Sequence, residues 1–216
     1  MGLGNALLYL IHRLLQTLGS ACSLDSFYLV AQPVSPAPLL TPHRRTAITV
    51  RLAHPGDKTL AFMGRPTDEL ERRFAGPGVC FVAERQDELV GFLWLILGTY
   101  KEPSDHCTFH IDSPRAAWDL DVFVVPKLRL SPVFALLWTA ANEWMCARDI
   151  AWTISRVSCF NERSLRSHRR LGMIKLGRLT IARLGPVQMA LTSVKPYLNF
   201  SVRSGRGLTL HLKPPA

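Results

Sequence analysis

The sequence predicts a mixed α/β protein in which helices cover the faces of a β-sheet. Its 216 residues, 48% of them apolar and 19% charged, suit one globular domain with extensions and exclude global disorder. Segments with the alternating pattern of strands recur along the chain, and segments with the apolar spacing of helices lie between them. The chain has no internal repeat, so a repeat architecture is excluded.

Residues 1–45 are predicted to form an N-terminal extension. Apolar residues at helical spacing predict an amphipathic helix over residues 2–18, which ends near Gly19. This helix either packs on the domain or contacts a membrane surface, although Arg13 is its only basic residue besides a histidine. A short strand is predicted at 27–34. Four prolines between residues 33 and 42 then predict an extended linker, and we place the main domain boundary there.

The main domain, residues 46–193, is predicted from its apolar patterning and turn residues. The predicted order is a strand, two helical segments, three strands, a helix, a strand, a helix and two strands. These elements lie at 47–52, 58–63, 67–74, 79–84, 89–97, 118–125, 131–147, 150–157, 161–171, 173–184 and 187–193. The polar segment 101–116 is predicted to be a loop. The tail, residues 194–216, contains a β-forming stretch at 197–212.

Charge and cysteine content limit the classes of protein that fit the sequence. Lys and Arg exceed Asp and Glu by 26 to 16, which gives a net charge of +10 and indicates an anionic partner, such as nucleic acid, a lipid surface or a phosphate-bearing cofactor. The five cysteines are scattered and include no C-x-x-C pair, so we predict no disulfide framework and a cytoplasmic location. The longest apolar stretch is far shorter than the ~20 residues that cross a bilayer.

The segment 118–137 combines a strand, a short turn and a helix that follows at once. Ser131 and Pro132 favour a helix start there, because serine caps well and proline suits the first helical position. Helix N-termini carry unpaired N–H groups and a partial positive charge, so an anionic phosphate is the expected ligand. Lys127 and Arg129 add full positive charges beside it.

Three segments in order resemble motifs of the GNAT (Gcn5-related) N-acetyltransferase superfamily. Val124-Val-Pro-Lys-Leu-Arg129 is similar to the V-x-P-x-x-R opening of that family's acyl-CoA-binding segment. Asn161 to Met173 is similar to its second signature, N-x-x-[SA]-x-x-x-[YH]-x-x-L-G-F, and Val50 to Asp57 resembles its first strand and turn. The resemblance covers about residues 46–193. It implies a mixed, mostly antiparallel central sheet with helices on both faces, here with an added N-terminal helix.

One stretch departs from the family pattern. The family usually shows glycines after the arginine, R-G-x-G-x-G/A, whose backbone N–H groups surround the pyrophosphate. Here the sequence is Leu130-Ser-Pro-Val-Phe134, in which Pro132 removes one donor and Phe134 adds bulk. Either Arg129 and Ser131 compensate in a looser cradle, or the donor is not ordinary acetyl-CoA, or the chain is an inactive member of the family.

The resemblance implies which residues bind the acyl donor. The pantetheine arm would pair with the backbone at the end of the strand over 118–125, and the phosphates would lie at the following turn and helix. Asn161 would lie near the pantetheine and Ser164 near the phosphates, although Asn161 could equally be a helix N-cap. The implied donor-binding residues are Val122, Phe123, Val124, Lys127, Arg129, Leu130, Ser131, Val133, Phe134, Asn161 and Ser164.

Three residues are candidates for the chemistry. The implied reaction is attack by a neutral amine on a thioester, which needs a base and a proton for the departing thiolate. His168 takes the position of the family's tyrosine credited with that proton, or else is a packing or surface histidine. Asp119 and Asp121 are two apart and are expected on one side of the strand, where they would act as the base, bind the acceptor's ammonium group or bond a loop. We favour Asp121.

The sequence therefore predicts an acyl-CoA-dependent N-acyltransferase that acetylates or otherwise acylates a small or peripheral amine, without a metal. The residue types at 105–112 include metal ligands, but their spacing matches no common zinc signature. Two alternatives stay open: an acyl carrier protein as donor, docked on the arginines of 161–171, or an inactive protein that binds an anionic partner there. No RNA- or DNA-binding motif is recognisable. The tail would pair with the sheet or with a second subunit.

Overall fold

The computed structural model describes residues 3–17, 19, 22–39, 47–102, 104–202, 205 and 207–215. The described residues form four α-helices and two 3-10 helices. The α-helices are α1 (Leu3–Thr17), α2 (Thr67–Ala75), α3 (Val133–Cys146) and α4 (Glu162–Arg170), and the 3-10 helices are Lys58–Met63 and Pro126–Leu128. The strands are β1 (Cys22–Pro33), β2 (Thr49–Leu52), β3 (Gly78–Arg85), β4 (Glu88–Leu97), β5 (Thr99–Glu102), β6 (Cys107–Ile111), β7 (Ala116–Val124), β8 (Trp152–Ser158), β9 (Ile174–Leu184), β10 (Val187–Thr192), β11 (Leu198–Val202) and β12 (Leu208–Leu212).

The contacts divide the chain into two compact units. Unit 1 consists of Met1–Pro33, Thr99–Ser113 and Ile154–Ala216, and unit 2 consists of Val34–Gly98 and Pro114–Thr153. The predicted fold class, a mixed and mostly antiparallel sheet with helices, is confirmed. None of the helices among the described residues has the length and hydropathy that crossing a bilayer requires.

Unit 2 is an antiparallel sheet in the order β7-β4-β3-β2. The strands predicted at 79–84 and 89–97 are confirmed and form the hairpin of β3 and β4, whose two turn residues, Gln86 and Asp87, both have positive φ, as a type I′ turn requires. One face packs against α2 and the preceding 3-10 helix through Leu60, Met63 and Leu70. On the other face α3 approaches β4 so closely that a Cβ atom at Gly91 would lie 2.8 Å from a side-chain carbon of Val133.

Unit 1 contains five strands in the order β11-β10-β9-β1-β8. Strand β1 pairs with β9 along 22–31, so it is longer than the strand predicted at 27–34. The alternation of apolar and polar residues is weak at the start of β1, where the run Ser-Leu-Asp-Ser is typical of a turn. The β-forming tail is confirmed as strands, because β11 pairs with β10 and β12 pairs with β6.

The prediction of a loop over 101–116 is wrong. Strands β5 and β6 lie within 99–111 and form a second sheet with β12, in the order β12-β6-β5. Cys107, Phe109 and Ile111 are buried while the residues between them are not, which is the period-two pattern of a strand. The intervening polar residues and the adjacent acidic turn hid this pattern, and the partner β12 lies about 100 residues further along the chain.

Candidate functional site

A strand-turn-helix segment in unit 2 holds most of the predicted donor-binding residues. Strand β7 ends at Val124, a 3-10 turn follows, and α3 begins at Val133. The Arg129 Nε donates to the carbonyl oxygen of Val124 at 3.2 Å. The Ser131 hydroxyl donates to the carbonyl of Leu128 at 2.6 Å and accepts from the N–H of Val133 at 3.4 Å. These bonds fix the turn that leads from the strand into the helix.

The first turn of α3 presents free hydrogen-bond donors. The N–H groups of Phe134 and Ala135 have no acceptor among the residues that the structure describes, and the first backbone bond of the helix runs from Leu136 N to Pro132 O. The Phe134 ring packs against Trp138 one turn further along α3, with 6.3 Å between ring centroids. Lone N–H groups at the start of a 14-residue helix favour an anion.

Two positively charged residues lie in the turn that precedes these donors. Lys127 and Arg129 are both exposed, and within the described ranges Lys127 has no ion-pair partner. The Leu130 side chain is fully exposed. Val133, by contrast, is fully buried against β4, and Phe123 stacks on Phe92, so these two side chains belong to the core.

A β-bulge at Leu120 separates the two predicted carboxylates. In the pairing of β4 with β7, Asp121 lies opposite Trp94 and Asp119 lies opposite Leu95, which leaves Leu120 as the extra residue. Directly paired residues share a face, and consecutive residues of β4 face opposite ways. Asp119 and Asp121 therefore lie on opposite faces, and the expectation that they share one side is wrong. Period-two spacing does not hold across a bulge.

Asp121 is neutralised by two arginines. Arg65 donates to both of its carboxylate oxygens, at 2.9 and 3.0 Å, and Arg73 donates to one of them at 3.4 Å. Both carboxylate oxygens are therefore occupied by guanidinium N–H groups, and neither is left free to accept from an acceptor amine. This arrangement speaks against Asp121 as the base.

Asp119 has the opposite environment. It is 6% exposed, and no residue in the described part of the chain gives its carboxylate a hydrogen bond or an ion pair. Burial, and secondarily the charge of Asp121, raises its pKa to about 7. A carboxyl group with this pKa is partly protonated at neutral pH, which is the property that a general base or acid needs.

We expect Asp119→Asn to stabilise the protein above neutral pH. The pKa of Asp119 is higher in the folded chain than its ordinary value of 3.8. The stability that its proton contributes is therefore present at low pH and is lost as the pH rises towards 7. The asparagine variant keeps the uncharged state at all pH values. Its melting temperature should exceed that of the wild type by roughly 5 °C at pH 8, with the difference closing near pH 4. Equal melting temperatures at both pH values would contradict a buried, unpaired Asp119.

Helix α4, in unit 1, carries the remaining predicted residues. The Asn161 Oδ1 accepts from the N–H of Ser164 at 3.0 Å, so Asn161 is the N-cap of this helix. The sequence left two roles open for Asn161, a contact with the pantetheine and a helix N-cap. In this structure its side-chain oxygen serves as the N-cap. Ser164 itself is half-buried in the first turn.

His168 is buried and neutral. The residue is 8% exposed, its Nδ1 lies 2.9 Å from the Oε1 of Gln32, and burial lowers its pKa to about 4. Because the Gln32 oxygen can only accept, Nδ1 carries the proton. A neutral imidazole with its N–H engaged donates no proton readily at neutral pH, so these surroundings do not favour the predicted acid role. The sequence analysis did not identify Gln32 as a site residue. The only indication in the sequence is that a polar side chain follows the apolar run Leu29-Val-Ala.

The predicted donor-binding residues of 122–134 thus lie in one strand-turn-helix segment of unit 2, and Asn161, Ser164 and His168 lie at or on one helix of unit 1. Within the described ranges, no group of three or more His, Cys, Asp or Glu side chains is arranged to hold a metal ion.

Comparisons with known proteins concern the fold. No protein-family model and no curated protein matches the sequence. Among solved structures, the chain is similar to a functionally unknown conserved protein from Staphylococcus epidermidis, at 10% identity and TM-score 0.53, over 82% of this chain and 67% of that one. It is also similar to a Drosophila melanogaster protein, at 14% identity and TM-score 0.51, over 85% of this chain and 58% of that one. An aminoglycoside N-acetyltransferase in complex with CoA matches at 18% identity and TM-score 0.47, over 57% of this chain and 90% of that one.

Proposed function

Because this chain has the fold of the GNAT N-acetyltransferase superfamily, we propose that it transfers an acyl group from acyl-CoA to an amine. One observation carries the proposal. A buried carboxyl group with a pKa near 7, Asp119, and the free N–H groups at the start of α3 belong to one segment of 17 residues, 119–135. The proposal assigns the reaction to residues 46–193.

The donor's phosphates would be held by the turn between β7 and α3. The N–H groups of Phe134 and Ala135 supply uncharged donors, while Lys127 and Arg129 supply charge. The bond from Arg129 to the Val124 carbonyl limits the freedom of the guanidinium group and orients it at this turn. In this proposal these groups would take the place of the glycine-rich cradle that the family usually has, as in the looser cradle that the sequence left open.

Asp119 would take the proton from the acceptor. An amine that attacks a thioester must be neutral, and most amines are protonated at neutral pH, so a base is required. Asp119 fits this role because its charge is not cancelled by a partner among the described residues. Asp121, fixed by Arg65 and Arg73, would act on it through charge by raising its pKa.

Amine-dependent release of free thiol from acetyl-CoA tests the activity directly. A panel of primary amines, from small diamines to amino sugars and peptides, should contain acceptors that accelerate thiol release by the wild-type chain. Calorimetry with CoA measures donor binding without any acceptor. Absence of CoA binding together with absence of amine-dependent release would overturn the proposal.

We expect Arg129→Ala to weaken CoA binding. A hydrogen bond to a charged group contributes about 1.5–3 kcal/mol, so the dissociation constant should rise by roughly 10- to 100-fold. Calorimetric titration with CoA measures it. Arg148→Ala is the matched control, because Arg148 follows the opposite end of α3, where it stacks on Trp144. Equal affinity of the Arg129 variant and the wild type would remove Arg129 from the donor site.

A carrier protein is a second candidate for the donor. Arg163, Arg166 and Arg170 are exposed on α4 at spacings that place them along one side of the helix, and none of them has an ion-pair partner in the described part of the chain. Arg169, in contrast, pairs with Glu162 at 2.7 Å. Three free guanidinium groups suit the acidic surface of an acyl carrier protein. Calorimetry with acyl carrier protein in place of CoA separates the two donors.

A further inference from the structure

The sheet of unit 1 leaves one apolar face uncovered at its edge. In the register of β9, β10 and β11, Leu184 lies opposite Val187, which in turn lies opposite Val202, and Leu191 lies opposite Leu198. Directly paired residues share a face. The exposed apolar side chains of this face, hereafter the apolar face, are Leu184 (71%), Val187 (46%), Leu191 (47%), Leu198 (49%), Phe200 (64%) and Val202 (49%).

The opposite face of the same strands is polar and buried. Gln188 and Ser201, which pair with each other across β10 and β11, are 3% and 7% exposed. The Gln188 side-chain amide donates to the carbonyl of Asp105 at 2.6 Å. Strands β10 and β11 therefore direct their polar side chains towards the protein and their apolar side chains towards solvent, which is the reverse of an ordinary surface strand. A bond to the backbone fixes this orientation.

Helix α1 lies on the same side of the sheet as the apolar face. Its Asn5 contacts the Tyr28 hydroxyl at 3.0 Å and accepts from Arg178 at 2.8 Å. Arg178 and Leu184 are six residues apart on β9 and so share a face. The outer row of α1, Leu7, Leu10 and Leu14, is 60–65% exposed.

The edge of this sheet lacks the features that prevent association. β11 is the last strand of the sheet, and the sequences of β10 and β11, VQMALT and LNFSV, contain no charged residue and no proline. Soluble proteins usually protect such an edge with lysine, proline or a bulge. An unprotected, uncharged edge beside an apolar face is typical of strands that have a partner.

The exposed apolar area on this side of the sheet is large enough for an interface between two chains. The six side chains of the apolar face each expose on the order of 100 Å², about 600 Å² together, and the three of the outer row of α1 add about 300 Å² on the same side of the sheet. The largest apolar patch on a typical monomer is about 300–600 Å². A standard interface buries about 800 Å² on each partner.

We propose that a second copy of this chain covers the apolar face, so that the protein is a homodimer with a two-fold axis near β11. A self-complementary patch satisfies both copies at once, as isologous dimers require. A lipid surface is the weaker match, because the residues of β10 and β11 include no Lys or Arg, and surface-binding helices carry several. The inference does not depend on the acyltransferase activity.

Sedimentation velocity of the full chain over a range of concentrations tests the proposal. The wild type should sediment as a dimer at micromolar concentration. Phe200→Lys places a charge in the middle of β11, beside the proposed two-fold axis, and should raise the dimer dissociation constant at least roughly thirtyfold. Leu10→Lys tests the contribution of α1. Phe62→Lys is the matched control, because Phe62 is 76% exposed on the 3-10 helix of unit 2, and this variant should remain a dimer.

Circular dichroism and melting temperature establish that each variant is folded, as expected for substitutions at exposed positions. A wild-type monomer at all concentrations would overturn the proposal, as would a dimer that Phe200→Lys leaves unchanged. The same preparations are sedimented with vesicles of phosphatidylcholine and phosphatidylserine. A wild-type monomer that binds these vesicles, with binding lost in Phe200→Lys, would assign the face to a lipid surface instead and would equally overturn it.

Discussion

Replacing Asp119 by asparagine should lower the rate of amine acylation by roughly 10²- to 10⁴-fold, the usual contribution of a general base. The dissociation constant for CoA should stay within about twofold of the wild type, because Asp119 lies outside the turn that would bind the phosphates. Asparagine has nearly the same shape as aspartate but cannot accept the proton. Steady-state rates with an acceptor from the amine panel, together with calorimetry, give both quantities.

The pH profile distinguishes Asp119 from a merely structural residue. In the wild type, the acylation rate should rise with pH through about 7 as Asp119 loses its proton. The acylation rate of the Asp119→Asn variant should not show this rise with pH. Asp121→Asn is the control, since it removes the acceptor of Arg65 and Arg73 but should keep a rising limb, shifted to lower pH because a neighbouring negative charge is gone. A lost limb in Asp121→Asn, with normal activity in Asp119→Asn, would return the base to Asp121.

Replacing Arg156 by methionine should destabilise the protein by roughly 3–5 kcal/mol. The Arg156 guanidinium pairs with Glu102 at 2.7 Å and with Asp105, and it stacks over the Phe27 ring at 4.5 Å. The side chain of Asp105 is 5% exposed and that of Glu102 is 14% exposed. The methionine fills the space of the arginine side chain. It leaves the buried carboxylates of Glu102 and Asp105 beside each other without the positive charge of Arg156. Urea unfolding at pH 7 measures the loss.

Arg72→Met is the matched control for this substitution. Arg72 pairs with Asp68 one helical turn away, and both side chains are mostly exposed. Exposed pairs of this kind contribute about 0.3–0.5 kcal/mol, so the control should change the free energy of unfolding by less than about 0.5 kcal/mol. If Arg156→Met cost no more than the control, the Glu102 and Asp105 carboxylates would have to be stabilised by other groups, of which Arg183 is the nearest at 3.1 Å from Asp105.

Local chemistry in the sequence was sufficient to predict most of the elements. The strands of the β3–β4 hairpin were predicted from their apolar patterning, and the helical segment predicted at 58–63 is capped by Asp57, which accepts from Thr59 N at 3.2 Å. In both cases the interaction joins residues that are close in sequence. Strands β5 and β6 were missed because their partner β12 is distant in sequence and their pattern is short.

The candidate site was predicted less completely because its chemistry depends on distant partners. A bulge at Leu120 is defined only against the register of β4, which no pattern within β7 reveals. Arg65 and Arg73, which neutralise Asp121, lie 56 and 48 residues before it in the sequence. The bond from His168 to Gln32 spans 136 residues. The sequence named these side chains as candidates, but the environments that bear on their roles arise from tertiary structure.

The interleaved composition of unit 1 has a consequence for biosynthesis. Strand β1 contains fully buried residues, Leu29, Val30 and Ala31, and its partner β9 begins about 140 residues later. At ~5–20 residues per second, a ribosome needs on the order of ten seconds to deliver that partner after β1 has emerged. During that interval the apolar strand β1 stays unpaired in the nascent chain. The newly made protein should therefore depend on chaperones that bind extended apolar segments.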